Sequence, residues 1–225
     1  ISSVIAFLLA SPWANLPITL LLFSFFGVKT FLLLISAIAI AIITGLIYQV
    51  LEKNKIIEQS KHIVKVDESF SIRADVKKRV KGYKFNAKTN IRALKGILRG
   101  SWALAKMVVW WILIGMILAS FAHAFVPTQL FHQFLGPTLL GLGITLLIAT
   151  IIEVCSEGSA PLSFEIFNQT GAFGNSFTFL MAGVATDYTE IGLIWSNIGK
   201  KAALWLPIIT VPQVLILGYL FNTFL

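Results

Sequence analysis

The sequence FLLASPWANLPITLLLFSFFG at residues 7–27 aligns without gaps with FLMAGVATDYTEIGLIWSNIG at residues 179–199. Six of the 21 positions are identical, and a polar interruption divides the apolar stretch at the same place in each copy. Both copies are followed by lysine and then by a long apolar run. Two apolar segments can match by chance, but composition alone does not place the interruptions in register. We therefore predict an internal repeat with a broken helix in each copy.

The composition is that of a membrane protein. Hydrophobic residues make up 57% of the chain and charged residues only 12%, whereas about a quarter of the residues in soluble domains are charged. Several apolar stretches reach the roughly 20 residues that a membrane-spanning helix needs. Fourteen of the 18 Lys and Arg residues lie within 49–101. Basic residues beside membrane spans set topology, so we expect an all-α polytopic membrane protein and no nucleic-acid partner.

Charge and the repeat together predict a domain organisation. We expect residues 1–48 to be the C-terminal part of a first membrane repeat whose N-terminal part lies upstream of this sequence, 49–101 to be a basic cytoplasmic linker, and 102–225 to be a second membrane repeat. A cytoplasmic linker makes the two repeat copies antiparallel, which is the inverted-repeat design of many transporters. Residues 138–171 must then enter and leave on one side, as a re-entrant hairpin covered by protein or by a cavity.

Two connecting regions are expected to be less regular. Residues 50–87 lack clear periodicity and are predicted to be flexible, whereas Lys88–Arg99 is typical of a basic amphipathic helix on anionic lipid. The alternative for that helix is a solvated stretch that only sets topology. His123 and His132 are expected in an external loop, as anchors at the membrane interface.

An acidic stretch without cations marks the candidate site. The 93 residues between Lys106 and Lys200 contain no Lys or Arg, yet they hold five carboxylates and the only cysteine. Ionisable residues inside a membrane usually face a cavity and mark a pathway. Gly158 and Pro161 predict a break at 155–161, where two helix ends would face one spot. The alternative is a surface loop between two short helices.

The break supplies most of the predicted binding groups. The predicted substrate-binding residues, taken from this break and from the two repeat interruptions, are Asn15, Cys155, Ser156, Glu157, Ser159, Thr186 and Asp187. Glu153 and Glu157 are the predicted proton-coupling residues, because burial can bring a carboxyl group into the neutral pH range. Glu165 is a further candidate, with a place on an amphipathic arm as its alternative. Asp187 has an alternative role as the N-cap of the next helix.

The sequence contains no motif typical of a disulfide, a metal centre, a cofactor site or an enzyme active site. A single cysteine excludes an internal disulfide and a multi-cysteine zinc site, and we expect no metal centre and no cofactor. No Walker A sequence and no His-Glu-x-x-His or Gly-x-Ser-x-Gly motif occurs. Cys155 has no nearby histidine in the sequence to act as its base. We therefore expect that the protein is not an enzyme.

The motifs EVCSEGSAPLSFEIFNQTG (153–171) and FLMAGVATDYTEIG (179–192) resemble the bacterial predicted-permease family of the DUF318 type, as does AFLLASPWAN (6–15). Some members of that family are organoarsenical efflux permeases. The resemblance implies a multi-pass inner-membrane permease of duplicated architecture. In the efflux members cysteines are thought to engage trivalent arsenic, and Cys155 alone matches that role here, since the Cys-rich segment that usually precedes the first motif is absent.

The expected function is therefore secondary transport. We expect export of a small solute, such as a metalloid, an organoarsenical or a metal ion, coupled to protons. The alternative is a non-transporting scaffold subunit that acts through the basic linker. The two differ in which changes abolish function: Cys155→Ser and Asp187→Asn for the transporter, or deletion of residues 55–85 for the scaffold. The expected partners are the solute and the lipid bilayer, and the sequence does not indicate an oligomeric state.

Overall fold

The computed structural model describes residues 1–58, 71–82 and 87–225, and every regular element within these ranges is a helix. The elements in chain order are α1 (Ser2–Ala10), a 3-10 turn (Ser11–Ala14), α2 (Leu16–Phe26), α3 (Lys29–Lys53), α4 (Ile72–Gly82), α5 (Ala87–Phe125), α6 (Thr128–Leu135), α7 (Leu139–Ile152), α8 (Ser156–Thr170), α9 (Phe173–Ala185), α10 (Tyr188–Asn197) and α11 (Lys200–Phe224).

Three of the described helices are long and apolar enough to cross a membrane: α3, α5 from Asn90 onward, and α11. Two further pairs of helices pass the same test but are bent at a short break. They are α1 with α2, bent by 58°, and α6 with α7, bent by 103°. The described chain thus has three to five spans by length and composition. The expectation of an all-α polytopic membrane protein is confirmed.

The chain forms two compact units, Ile1–Lys61 with Trp110–Leu225, and His62–Val109. In the second unit, the basic side chains of Arg92, Lys95 and Arg99 are exposed on α5, as an amphipathic helix requires. Contact of this helix with anionic lipid stays a prediction. Helix α5 continues without a break through residue 102, the predicted start of the second repeat.

The predicted flexible stretch is wrong for its described part. Helix α3 extends to Lys53 and α4 forms a regular helix. Residues 59–70 and 83–86 of that stretch lie outside the described residues. Just after α3, Ile57 is buried in the main core, and this apolar contact orders the chain beyond the predicted span.

The stretch around His123 and His132 is helical rather than the predicted loop, and its external location stays a prediction. His123 lies in the last turn of α5, and α6 occupies most of the remaining stretch. The reason is the apolar face of α6, where Phe131 is 4% exposed and packs in a small core with Ile166 and Phe179.

The two repeat copies have the same order of elements. Each has a helix, a break, a second helix and a long third helix: α1, α2 and α3 in the first copy, and α9, α10 and α11 in the second. Close contacts also correspond. A Cβ added at Gly45 of α3 would lie 3.3 Å from the Ser2 carbonyl oxygen, and one at Gly218 of α11 would lie 3.1 Å from that of Gly174. Ser2 and Gly174 are related by the same sequence offset as the aligned motifs.

The long helices of the two copies run antiparallel to each other. The Lys29 ammonium at the start of α3 donates to the carbonyl oxygen of Leu225, just beyond α11, at 3.4 Å. Near the other end of α3, the Tyr48 hydroxyl donates to the carbonyl oxygen of Ala202 in the first turn of α11, at 2.6 Å. Opposite directions for equivalent helices are what an inverted repeat requires.

Helices α7 and α8 form a hairpin around α9. The Asn175 amide at the start of α9 donates to the Thr145 hydroxyl of α7 at 3.1 Å, and near the far end Thr150 and Thr186 share a hydrogen bond of 2.8 Å. Helix α7 therefore runs parallel to α9. Helix α8 turns back into α9 through Gly171, which has the positive φ of 68° that glycine tolerates. The tip of this hairpin lies beside the end of α9.

Aromatic contacts hold α8 against the first repeat copy. The rings of Phe25 on α2 and Phe164 on α8 are stacked with centroids 4.7 Å apart. Phe26 lies 5.6 Å from Phe167 and 5.8 Å from Phe173. Each such pair contributes about 0.5–1.5 kcal/mol beyond the burial of its surface. These contacts fix α8, and with it the hairpin tip, next to the break between α1 and α2.

Candidate functional site

The hairpin tip is shorter than the sequence analysis predicts. Helix α7 ends at Ile152 and α8 already begins at Ser156. The Cys155 carbonyl oxygen starts the ladder of α8, because it accepts hydrogen bonds from the backbone N–H groups of Gly158 and Ser159, both at 2.9 Å. The predicted break at 155–161 is therefore wrong, and the non-helical backbone is confined to residues 153–155.

Because the break lies earlier than predicted, Pro161 and Ser159 have structural positions other than those expected. Pro161 lies inside α8 rather than in its first turn. Ser159 is 3% exposed, and its hydroxyl donates to the carbonyl oxygens of Cys155 and Ser156 at 3.1 and 3.2 Å. Its contacts stabilise the start of α8, and its role in binding stays a prediction.

Glu157 connects the tip to the break of the first copy. The side-chain amide of Asn15 donates to Glu157 Oε1 at 3.1 Å, across 142 residues of sequence. Asn15 precedes α2 but makes no side-chain cap to it, so its amide is available for this contact. The Ser156 hydroxyl donates to the other oxygen, Oε2, at 3.3 Å. Three predicted residues thus form one hydrogen-bonded group.

Glu153 connects the tip to the break of the second copy. It adopts the left-handed conformation, with φ 43° and ψ 54°, at the end of α7. This conformation is uncommon for a residue with a side chain. Its carboxylate accepts a hydrogen bond from the backbone N–H of Tyr188, the first residue of α10, at 2.6 Å. The hydroxyl of Thr186 donates to the Ala182 carbonyl oxygen at 2.7 Å, and its oxygen also contacts Thr150 of α7.

Asp187 has the geometry of an N-cap. Its carboxylate Oδ1 accepts hydrogen bonds from the backbone N–H groups of Thr189 and Glu190, at 2.6 and 3.2 Å. The alternative role named for this residue is thus present in the structure, whereas a role in binding stays a prediction. Asn15 and Asp187 occupy equivalent positions but act differently, because the amide reaches the hairpin and the carboxylate caps its own helix.

Helix α5 lies directly against the tip. A Cβ added at Gly115 would collide with the Gly158 carbonyl group, and would lie 2.9 Å from the Gly158 Cα. A Cβ on Gly158 would in turn lie 3.1 Å from the Trp111 carbonyl oxygen and 3.8 Å from the Cys155 sulfur. Contact between two glycines lets helices approach closely. Helix α5 therefore lies against the hairpin tip, close to the two helix breaks that the tip contacts.

The predicted residues differ little in exposure. All are half-buried except Ser159, which is buried. A half-buried position leaves Cys155 and Glu157 accessible to a small solute. Within the described residues there is no group of three or more His, Cys, Asp or Glu side chains placed to hold a metal ion.

Two carboxylates near the site, Glu165 and Glu190, have surroundings that the sequence does not predict. Glu165 contacts His123, with its Oε1 2.8 Å from Nδ1. Glu190 has a buried carboxylate oxygen, Oε2, without a hydrogen-bond partner among the described residues. His123 and Glu165 are separated by 42 positions in the sequence, so no local pattern could reveal the pair. The only available signal was their position in the stretch without cations.

The comparisons with known proteins identify the family. The ArsP_1 family, described as predicted permeases, matches residues 1–223. No curated protein and no solved structure matches the chain. The match extends over both repeat copies, the hairpin and α5. The expectation of a membrane permease is therefore confirmed: the chain is a multi-pass membrane protein that belongs to the ArsP_1 family of predicted permeases.

Proposed function

We propose that this permease exports a small solute across the plasma membrane through the space around the hairpin tip. The basic segment 49–101 would lie on the cytoplasmic side, as the positive-inside rule requires. The solute would bind beside Cys155, Ser156 and Glu157, near the two helix breaks. We propose 1–48 and 102–225 as the parts of the two membrane repeats that move relative to each other.

One observation carries this proposal. Two carboxylates of the hairpin tip each contact one helix break. Glu157 accepts a hydrogen bond from the Asn15 amide, and Glu153 accepts one from the backbone N–H of Tyr188. Broken helices near the middle of the membrane form the sites of many secondary transporters. A tip that contacts both breaks links the two repeat copies, and movement of 1–48 relative to 102–225 would break the hydrogen bond between Asn15 and Glu157.

Protons enter the mechanism through Glu157. A hydrogen bond to an ionised acceptor contributes about 1.5–3 kcal/mol, and one between neutral groups about 0.5–1.5 kcal/mol. Uptake of a proton by Glu157 would therefore weaken its contact with Asn15 by about 1 kcal/mol. That difference changes the equilibrium between tip-bound and tip-free states roughly fivefold, and a solute that favours one state shifts the same equilibrium.

The substrate class follows from the chemistry of the tip. The Cys155 sulfur is a soft ligand, which favours soft metals and metalloids. It stands beside hydroxyl and carboxylate oxygens, so the solute should combine a thiophilic centre with a polar group. A trivalent metalloid or organoarsenical fits this description better than a hard cation such as Mg²⁺, which prefers oxygen ligands.

The test uses purified full-length protein in proteoliposomes loaded with a pH-sensitive dye. A trivalent methylarsenical, arsenite and Cd²⁺ are added in turn under an imposed pH gradient. We expect at least one of them to drive proton movement, and Cys155→Ser to abolish its transport. Glu157→Gln keeps an acceptor for Asn15 but removes the titratable group, so it should remove coupling of the solute to the gradient.

The matched control is Glu52→Gln. This carboxylate lies near the end of α3, and it makes no part of the site. It should leave proton movement unchanged. The proposal fails if none of the three solutes moves protons with the wild-type protein, or if Glu157→Gln behaves like Glu52→Gln.

A further inference from the structure

Helices α5 and α8 run side by side from the hairpin tip and enclose a cavity. They meet at Gly115 and Gly158, and His123 of α5 contacts Glu165 of α8 further along. The two helices are therefore parallel, and the eight residues from Gly115 to His123 correspond to about 12 Å. Between these contacts lies a cavity of about 330 Å³, lined by Phe25, Met116, Ala119, Ser120, His123, Pro161, Phe164 and Glu165.

Glu165 lies between this cavity and a second one. The second cavity measures about 370 Å³ and has an almost wholly apolar lining, to which Glu165 also contributes. The Glu165 side chain is only 12% exposed, while that of His123 is 61% exposed. A nearly buried carboxylate therefore joins the cavities to an exposed imidazole.

Few titratable residues lie on the helices around Glu165. Helices α2, α7 and α9 carry no titratable residue, and neither does α5 between Trp110 and His123. Helix α6 carries His132, which is exposed. At the far end of α8, the Lys29 ammonium lies 5.0 Å from the centre of the Phe167 ring. His123 is thus the group that can offset the charge of Glu165 by direct contact.

Gln169 can form hydrogen bonds with the His123–Glu165 pair whether or not His123 Nδ1 carries a proton. Its amide nitrogen lies 2.7 Å from Glu165 Oε1 and 2.9 Å from His123 Nδ1. Its carbonyl oxygen accepts a hydrogen bond from the Thr128 hydroxyl at 3.1 Å, which fixes the orientation of the amide. When His123 is charged, Nδ1–H donates to Glu165. When Nδ1 has lost its proton, it accepts a hydrogen bond from Gln169 instead.

We propose that His123 and Glu165 form a second proton-binding station of the permease, at the cavity between α5 and α8. A proton that arrives there converts a negative pair into a neutral one, with the proton on His123 Nδ1 and the carboxylate ionised. Release passes the proton from the exposed imidazole to water. This inference rests on the proposed function, in which Glu157 takes up the proton at the tip.

The test compares net transport with exchange in the proteoliposomes described above. Net proton movement needs uptake and release, whereas exchange of labelled for unlabelled solute needs neither. We expect His123→Asn and Glu165→Gln each to lower solute-driven proton movement about tenfold or more, and to leave exchange within about twofold of wild type. Because both residues belong to one station, the double variant should lose no more than either single one.

The matched control is His132→Asn, an exposed histidine on α6 that should leave both activities unchanged. The inference is overturned if His123→Asn and Glu165→Gln keep wild-type proton movement, or if proton movement and exchange fall equally, since equal loss marks a packing role. Glu157→Gln separates the two proposals. If it abolishes coupling while the His123 and Glu165 variants do not, only the second station is wrong. A wild-type protein that moves no protons overturns both.

Discussion

The contact between Gly115 and Gly158 offers a sharp test of the site, through the substitution Gly115→Ala. The new Cβ would collide with the Gly158 carbonyl group and lie 2.9 Å from its Cα. Carbon atoms in contact are normally about 3.5–4.0 Å apart. Helix α5 must therefore move away from the tip by roughly 1 Å, or the start of α8 must distort. The control is Gly143→Ala on α7, where an added Cβ has no atom within 4 Å.

The magnitude follows from two opposing terms. Alanine in place of glycine inside a helix stabilises it by about 0.8–1.0 kcal/mol, and this gain applies at both positions. Overpacking costs about 1–3 kcal/mol, and it applies only at Gly115. The two variants should therefore differ in stability by about 1–3 kcal/mol. For a chain of this size, that corresponds to roughly 2–12 °C in melting temperature.

Thermal unfolding of the purified protein in detergent measures this difference, and the proteoliposome assay measures its effect on transport. We expect Gly143→Ala to melt at or above the wild-type temperature and to transport normally. Gly115→Ala should melt lower than this control and lose about tenfold or more in transport rate, because a misplacement of about 1 Å can cost that much at a constrained site. Equal melting temperatures and equal transport for the two variants would refute the close packing of α5 on the tip.

Three further predictions concern the ends of helices. Glu153→Gly gains about 1 kcal/mol, because glycine tolerates the left-handed conformation, but it loses a hydrogen bond from the Tyr188 N–H worth about 1.5–3 kcal/mol, so it should melt at a lower temperature and transport less; Glu153→Gln, which keeps an acceptor, separates the two effects in the same assays. Asp187→Ala should cost about 0.5–2 kcal/mol as a lost N-cap, seen as a lower melting temperature, while Asp187→Asn should retain most of the cap. The Glu58 carboxylate contacts the start of α11. Burial raises the pKa of Glu58, but hydrogen bonds from the backbone and the charge of Lys201 outweigh this effect and hold the pKa below its usual value. The stability that Glu58 contributes is therefore complete at neutral pH and is lost as the pH falls below the usual carboxyl range, and the melting temperature of Glu58→Gln should not show this acid-dependent decrease.

The repeat could be predicted from sequence because its signal is local. The interruptions at Asn15 and Asp187 lie within single apolar stretches, and the lysines after each copy mark where the long helices start. Charge asymmetry around 49–101 then gave the antiparallel relation, which α3 and α11 have. These inferences need only residues close together in the chain.

The exact position of the hairpin break could not be predicted in the same way. Gly158 and Pro161 usually mark the ends of helices, and they placed the break too late. In the structure, the carbonyl group of Cys155 begins α8, and Gly158 serves the approach of α5 instead of a turn. That role depends on Gly115, 43 residues earlier, and no local pattern reveals such a pair. The contact between His123 and Glu165 was missed for the same reason.

The two copies share the same order of elements but carry different polar groups at their breaks. At the first break, Asn15 leaves its own helix uncapped and donates to Glu157. At the second break, Asp187 caps α10, and Glu153 of the hairpin reaches the backbone instead. Only the first contact joins the hairpin to the other copy, so in the proposed mechanism only there would a change of protonation alter a bond between the copies. A symmetric pair of breaks would respond alike to a proton, whereas this asymmetric pair would let one proton loosen one copy and leave the other in place.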